Sequence, residues 1–376
     1  MHPHKRLGTY RVGAAEFHTR ADALMYASIS GGEPRWDFNE DVFGTVDWAT
    51  PVETPLLELY RQRAQQLRDK YDFVSLFFSG GVDSAMALHA FIDNNIHLDE
   101  IVMYRPARMV PKANKTDLSS GNIFSEIEFA AVPHLQEHLR DSKTVVRFLD
   151  LDVNVEKFLT HEDTMAQYTS LKNPNPNYLA RLAMCTQDPV WNALYLADKK
   201  VCHIQGVDKP VVSFRNGEYY FQFNDNMLMN VFSPAFGSAN ADMVVKNQFH
   251  ELFYWTPDLP QLVVKQAQTV KNLAQSNALL RLLISGTYNV NESTMVPLLK
   301  HIYPPHVVAV RDRFTAGKIS PSAKAPHNKW FYDMMPTSTQ GAFTDMLRTL
   351  KTKVSGQYLH PITHDLTVFR SPFYKI

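Results

Sequence analysis

Cysteine is nearly missing from this chain: its 376 residues hold two, Cys185 and Cys202. They form neither a disulfide framework nor a C-x-x-C pair, which excludes a stapled secreted domain and a metal or redox site of that type. Net charge is missing too, because 38 Lys and Arg balance 38 Asp and Glu. The molecule as a whole therefore has no bias toward polyanions. The opening "MHPHKRLGTY" lacks the apolar stretch of a signal peptide. No run approaches the roughly 18 continuous apolar residues of a membrane helix. The expectation is a reducing, cytoplasmic setting with no membrane partner. No G-x-x-x-x-G-K-[ST] string occurs, and "TAGKIS" lacks its first glycine and final hydroxyl, so a Walker phosphate loop is excluded. The 15 histidines show no H-E-x-x-H or comparable metal spacing. Internal repeats and low-complexity tracts are absent as well.

What is present is a globular composition, 45% apolar and 20% charged, long enough for two domains or one enlarged α/β domain. Charge is unevenly spread. From His301 onward ten Lys and Arg face four Asp and Glu. A basic, aromatic tail of this kind fits a nucleic-acid surface, and equally a solvated face that balances an acidic remainder.

Four regions follow from the pattern. Residues 1–70 read as a β/α cap: a β element in "YRVGAAEFHT", a helix near "RADALMYASI", then an amphipathic helix in "TPLLELYRQRAQQLRDKY". Thr54 is placed to cap that helix, Pro55 to open its first turn, and Leu56, Leu57, Tyr60, Ala64 and Leu67 to face inward. Residues 71–226 alternate strand and helix. "FVSLFF", "EIVMY", "TVVRFLDL" and "VCHIQG" read as strands covered on both faces, with helices over 84–94, 123–140 and 178–198 between them. Pro133 must kink or split the second helix. Asn216-Gly217 between two β-rich runs predicts a type I′ hairpin. Residues 227–300 read as mainly helical, and 301–376 as irregular. The fold class expected is α/β, a doubly wound parallel sheet with its ligand site at the carboxyl ends of the strands.

One stretch carries chemistry. In "FFSGGVDSAMALHAF" a buried strand stops at a turn and a helix begins. Gly80 and Gly81 allow a sharp turn and expose N–H groups. The new helix adds its positive N-terminal end, and Ser79 and Ser84 add hydroxyls. This is a cradle for pyrophosphate. Asp83 would repel a bare phosphate, and fits once Mg²⁺ lies between its carboxylate and the phosphate oxygens. A plain strand-to-helix turn with Ser and Asp as caps is the alternative.

The string Ser79-Gly80-Gly81-Val82-Asp83-Ser84 resembles the PP-loop of the N-type ATP pyrophosphatases. That superfamily includes asparagine synthetase, GMP synthetase, NAD synthetase, argininosuccinate synthetase and several tRNA-modifying enzymes. The resemblance implies a Rossmann-like sheet of the adenine nucleotide alpha hydrolase type, ATP and Mg²⁺ as cofactors, and cleavage between the α and β phosphates. It also implies transfer of AMP to a carboxylate or carbonyl oxygen, which a nitrogen or sulfur nucleophile then displaces. Under it, Ser79, Gly80, Gly81, Val82 and Ser84 bind pyrophosphate, Asp83 holds the Mg²⁺ bound with it, and Tyr104, at the end of the next strand, neighbours the adenine. "GVDKP" after "VCHIQ" is loosely similar to a loop of the asparagine synthetase domain. By that likeness Gly206 lines the site, Asp208 joins Asp83 on the metal, and Lys209 contacts pyrophosphate. The same loop could merely turn the chain into the hairpin. The whole, "FYWTPDLPQLVVKQ" included, resembles phage-encoded proteins of the asparagine-synthetase-like kind. One departure matters: residue 2 is His2, where glutamine-hydrolysing asparagine synthetase carries a cysteine nucleophile. Ammonia, an amine or a separate subunit would then supply nitrogen to a small carboxylate or nucleotide-like acceptor. Base modification of a nucleic acid, or a non-catalytic ATP-binding scaffold, are the other functions open to such a chain, and it is compatible with a homo-oligomer.

Lesser candidates surround this core. Asp150 and Asp152 end a strand, where they could contact ligand or cap the next turn. Arg105, Arg108, Lys112 and Lys115 mark a long loop, 105–122, that could close over phosphates. Cys202 lies mid-strand, where a buried structural role is the commoner one. Lys265 is either a site residue or a surface lysine.

Overall fold

The computed structural model describes residues 7–18, 20–113, 125–139, 143–150, 188–206, 211–225, 246–285, 303–312, 331–333, 335–359 and 366–376. The chain opens with β1 (Thr9–Val12), β2 (Ala15–Phe17), α1 (Arg20–Ser30) and β3 (Pro34–Asp37), whose strands form an antiparallel sheet in the order β2-β1-β3. A short α2 (Glu40–Phe43) leads to α3 (Leu56–Lys70). Pro55 stands at the N-cap of α3 and no side chain caps it, so Thr54 does not have the capping role its position suggested. The buried arc of α3 is Leu59, Tyr60, Arg63, Ala64 and Leu67. Burial of Arg63 rotates this arc and leaves Leu57 52% exposed at its rim, against the inward placement expected of it.

The central unit then runs β4 (Phe73–Phe77), α4 (Val82–Ile92), β5 (Glu100–Arg105), a π-helical turn at Ile127–Ala131, α5 (Val132–His138), β6 (Val145–Asp150), α6 (Pro189–Leu196) and β7 (Val201–Gln205). After the hairpin of β8 (Val211–Arg215) and β9 (Glu218–Gln222) come β10 (Gln248–Leu252), α7 (Pro260–Ser276) and α8 (Ala278–Ile284). The remaining elements are α9 (Pro305–Asp312), α10 (Thr337–Lys353) and β11 (Tyr374–Lys375). Five strands pair in parallel in the order β10-β7-β4-β5-β6. The order reverses between β4 and β7, the place where such sheets open a crevice at their carboxyl edge. Alternation along the strands builds two cores. Val74, Leu76, Ile101, Met103 and Ile204 pack with α3, α4 and α7, while Phe73, Phe77, Val102 and Val201 pack with α6, α1 and α10. Helices thus cover both faces, as the alternation of strands and helices implied.

Several local expectations are corrected. The helical stretch does divide at Pro133 as expected: a π turn at Ile127–Ala131 gives way to α5, which carries the proline in its first turn. β6 is an edge strand, with Val145, Val146 and Phe148 exposed, so it is not covered on both faces. The region after residue 227 is not simply helical. β10 completes the sheet, and its Gln248, His250 and Glu251 are buried although polar, which hid the strand from a hydrophobicity reading. The tail is not wholly irregular. α10 buries Thr339, Phe343, Met346 and Leu350 along one stripe, and β11 pairs with β9. The predicted hairpin is present, with Asn216 at φ 50° and Gly217 at φ 82°.

Buried charges join these layers. Arg63 meets the Glu251 carboxylate at 2.8 Å, with the two side chains 0% and 4% exposed, and Lys70 and the Tyr71 hydroxyl share the same carboxylate. Arg20, beside the N-terminal sheet, holds Asp225 at 2.8 Å, and Tyr10 donates to the same group. On the α6 face, Glu100, Ser75, His203 and His250 lie in register across four strands. Glu100 accepts from Ser75, from the Trp191 indole and from Arg147.

Two measurements follow. Arg63→Ala leaves Glu251 buried without its main countercharge and should lower unfolding free energy by about 3–5 kcal/mol. The double change Arg63→Met with Glu251→Leu should recover most of that loss in denaturant titrations. Burial, aided by the Arg147 charge, pushes the His203 imidazole down to about 3. The unfolded chain therefore takes up a proton near pH 6.5 that the folded chain refuses. Stability should be level above about pH 7 and fall below it, by at most about 1.4 kcal/mol per pH unit from this group. His203→Gln should flatten the slope between pH 6.5 and 5, before carboxylates titrate.

Candidate functional site

The crevice at the strand-order reversal is built from the chain leaving β4 and the chain leaving β7. Beyond β4, the Phe78 N–H still bonds to the Val102 carbonyl, so the turn begins from a fixed point. Gly80 then adopts φ 82°, a left-handed conformation costly for any residue with a side chain. A Cβ there would also lie 3.0 Å from the Ala131 Cβ and 3.1 Å from its nitrogen. Gly81 is the N-cap of α4, and no side chain caps the helix, so the N–H groups of its first turn keep their outward positive end.

The serines brace this turn. Ser84 Oγ donates to the Gly81 carbonyl at 2.9 Å and lies 3.3 Å from Ser79 Oγ. The Ser79 and Gly81 N–H groups reach serine hydroxyls only at 3.4 and 3.3 Å, contacts at the long, weak end of the range.

The second wall is Gly206. A Cβ on it would sit 2.8 Å from Ser84 Cα and 3.2 Å from both the Asp83 carbonyl oxygen and the Ser84 nitrogen. The structure thus brings Gly206 directly against the 79–84 turn. Asp208 and Lys209 lie outside the described residues. From β10 the Phe253 N–H bonds to the Gln205 carbonyl, which carries the next residue, Tyr254, over the start of α4.

Sequence reasoning missed three tyrosines around Asp83. Tyr303 donates to Asp83 Oδ1 at 2.6 Å, and Tyr254 donates to the Asp83 carbonyl at 2.5 Å. Tyr60 packs edge-on to Tyr254 at 5.7 Å, and its buried hydroxyl has no hydrogen-bond partner among the described residues. Burial raises all three phenols well above their ordinary range, and the Asp83 charge raises them further. They are therefore neutral donors beside a half-buried carboxylate. No sequence signal joins residues 60, 254 and 303.

The remaining candidates are placed as follows. Tyr104 lies edge-on to Phe77, with ring centroids 6.4 Å apart, and packs with the α6-side core, on the face opposite α4. Arg105 is paired with Glu128 and sits 4.1 Å over the Phe148 ring, so its charge is already engaged. Arg108 is exposed in a 3₁₀ turn at Ala107–Lys112. Asp150 accepts from the Ala107 N–H at 3.1 Å, a turn-capping role. Lys265 donates to the Val52 carbonyl at 2.6 Å and so ties α7 to the 49–55 segment. Cys202 is fully buried in β7. Asp152, Lys115 and Cys185 lie outside the described residues.

Compared with known proteins, the sequence matches no protein-family model and no curated protein.

The close approach of Gly206 makes a direct prediction. Gly206→Ala forces backbone apart and should cost about 1–3 kcal/mol in unfolding free energy. Gly341→Ala is the contrast, since that glycine is exposed inside α10 with nothing within 4 Å of an added Cβ. It should gain about 0.5–1 kcal/mol. Paired denaturant titrations separate the two.

Proposed function

We propose that this chain is an ATP-dependent, AMP- and pyrophosphate-forming ligase that activates a carboxylate or carbonyl oxygen for displacement by ammonia or an amine. The observation that carries the reading is the S-G-G-V-D-S turn itself. It stands at the carboxyl end of a central parallel strand, on the strand-order reversal, with a left-handed Gly80 and an uncapped helix start. The surroundings suit a magnesium polyphosphate. The turn leaves no Cβ at 80, 81 or 206, the Ser79 and Gly81 N–H groups make long contacts to serine oxygens, and the half-buried Asp83 carboxylate lies at its mouth. The buried Tyr60 hydroxyl beside it is a further donor that the described residues leave unsatisfied.

In this reading the N–H groups of Gly80, Gly81 and Val82 and the Ser79 hydroxyl hold the pyrophosphate portion. Ser84 keeps the turn in shape through the Gly81 carbonyl. Asp83 would hold Mg²⁺, which supplies charge neutralisation at the leaving oxygens when bound. Tyr303 and Tyr254 fix the Asp83 side chain and carbonyl, so that the carboxylate is held ready rather than reorganised. Asp208 and Lys209, two and three residues beyond Gly206, would add a second carboxylate and a cation. Rate enhancement by positioning and charge stabilisation needs no histidine or cysteine nucleophile.

The test is the fate of ATP labelled in its α-phosphate, incubated with Mg²⁺ and pooled amino acids, nucleosides or RNA. Labelled AMP with stoichiometric pyrophosphate is expected, falling about 10²–10³-fold in Asp83→Asn and lost on chelation of Mg²⁺. Formation of ADP instead would rule the mechanism out. Tight ATP binding with no turnover under any acceptor would point to a scaffold.

A further inference from the structure

Behind the same helix lies a second cluster of ligating side chains. His89 lies in the last turn of α4 with Asp93 at its C-cap, His134 and His138 stand one turn apart on α5, and His306 is on α9. The i,i+4 pair in "HLQEH" puts both α5 imidazoles on one face, a spacing that reading the sequence for H-E-x-x-H passed over. His89 Nε2 and His134 Nε2 are 3.0 Å apart. The His138 ring centroid lies 4.4 Å from that of His134 and 4.9 Å from that of His89. One nitrogen from each of the three rings falls within a 4.8 Å sphere of mutual separation.

Asp93 decides what the cluster presents. Its Oδ1 lies 2.9 Å from His89 Nδ1 and its Oδ2 lies 3.0 Å from His306 Nε2. A carboxylate only accepts, so the His89 proton resides on Nδ1 and its Nε2 lone pair points at the other two rings. This is the carboxylate–histidine arrangement that orients a metal ligand from behind. Nitrogens held about 2.0–2.1 Å from a tetrahedral ion stand about 3.3 Å apart; the His89–His134 pair is already at 3.0 Å, and the His138 nitrogen lies within 4.8 Å of both. His89 and His134 are buried, while His138 is half-buried and offers a route in. Three neutral nitrogen donors suit a zinc-class ion and disfavour magnesium or calcium, which take oxygen.

We propose that His89, His134 and His138 form a three-histidine site for one zinc-class divalent ion, with Asp93 as the residue that orients His89. The site is separate from the phosphate cradle. His89 stands six positions after Asp83 on α4, about 9 Å along the helix. It stands or falls independently of the nucleotide reading. Its effect is to clamp α4 to α5, the two helices that the Gly80 turn and Ala131 already bring into contact.

The test uses the full chain, stripped by chelator and titrated with zinc chloride by calorimetry and with cobalt chloride by visible absorption. One ion per chain is expected, with the intense cobalt bands of a four-coordinate nitrogen site and a zinc-dependent rise in melting temperature. His134→Ala and His138→Ala should each weaken binding at least about a hundredfold, and Asp93→Asn about 10–100-fold. His97→Ala, an exposed histidine outside the cluster, should change nothing. Should His134→Ala fail to fold, the half-buried His138→Ala decides. Absence of stoichiometric binding, or binding that survives His138→Ala unchanged, would overturn the proposal.

Discussion

The start of α4 is held by a backbone-to-backbone approach that only glycine permits. Gly206, at the end of β7, touches the Ser84 Cα and the Asp83 carbonyl, while Gly80, at the end of β4, turns left-handed against Ala131. Two strands on either side of the sheet's order reversal thus grip one helix terminus from two directions. Tyr254 and Tyr303 close the grip on the Asp83 carbonyl and carboxylate. Loosening any of these contacts would move the helix end, and with it the N–H groups of its first turn.

Rigidity at that point is supported by an unusual amount of buried polarity elsewhere. The Arg63–Glu251 pair ties α3 to β10, and the Arg20–Asp225 pair ties α1 to the chain after β9. The row Glu100, Ser75, His203, His250 crosses four strands beneath the α6 face. Such groups are costly to desolvate, and they persist where each finds a partner of fixed geometry. Glu100 illustrates this: a hydroxyl, an indole and a guanidinium converge on one carboxylate. Polar pairing of this kind adds directionality that apolar packing alone does not supply.

α4 is the element through which the molecule's two candidate chemistries meet. Its first turn carries Asp83 and N–H groups that no side chain caps, and its last carries His89 of the imidazole cluster, with Asp93 just beyond. The segment leading into α9 reaches both ends of α4. Tyr303, just before α9, serves the first turn, and His306, within it, serves Asp93.

The sequence by itself determined the strand–turn–helix at 73–92, the Asn216-Gly217 hairpin and the alternation that builds a parallel sheet. Those features rest on local conformational rules: positive φ at glycine and asparagine, period-two apolar runs, and helical stripes. Tertiary structure alone decided the rest. β10 was hidden because its buried positions are polar, and their partners lie on β7 and α3, far away in the chain. Leu57 lost its inward place because burial of Arg63 depends on Glu251, 188 residues later. Tyr254 and Tyr303 reach Asp83 across 171 and 220 residues. The imidazole cluster joins three helices of which only one carries a recognisable spacing. Periodicity reports what a residue shares with its neighbours in sequence, whereas a site is a convergence of segments, and convergence is set by how the layers pack.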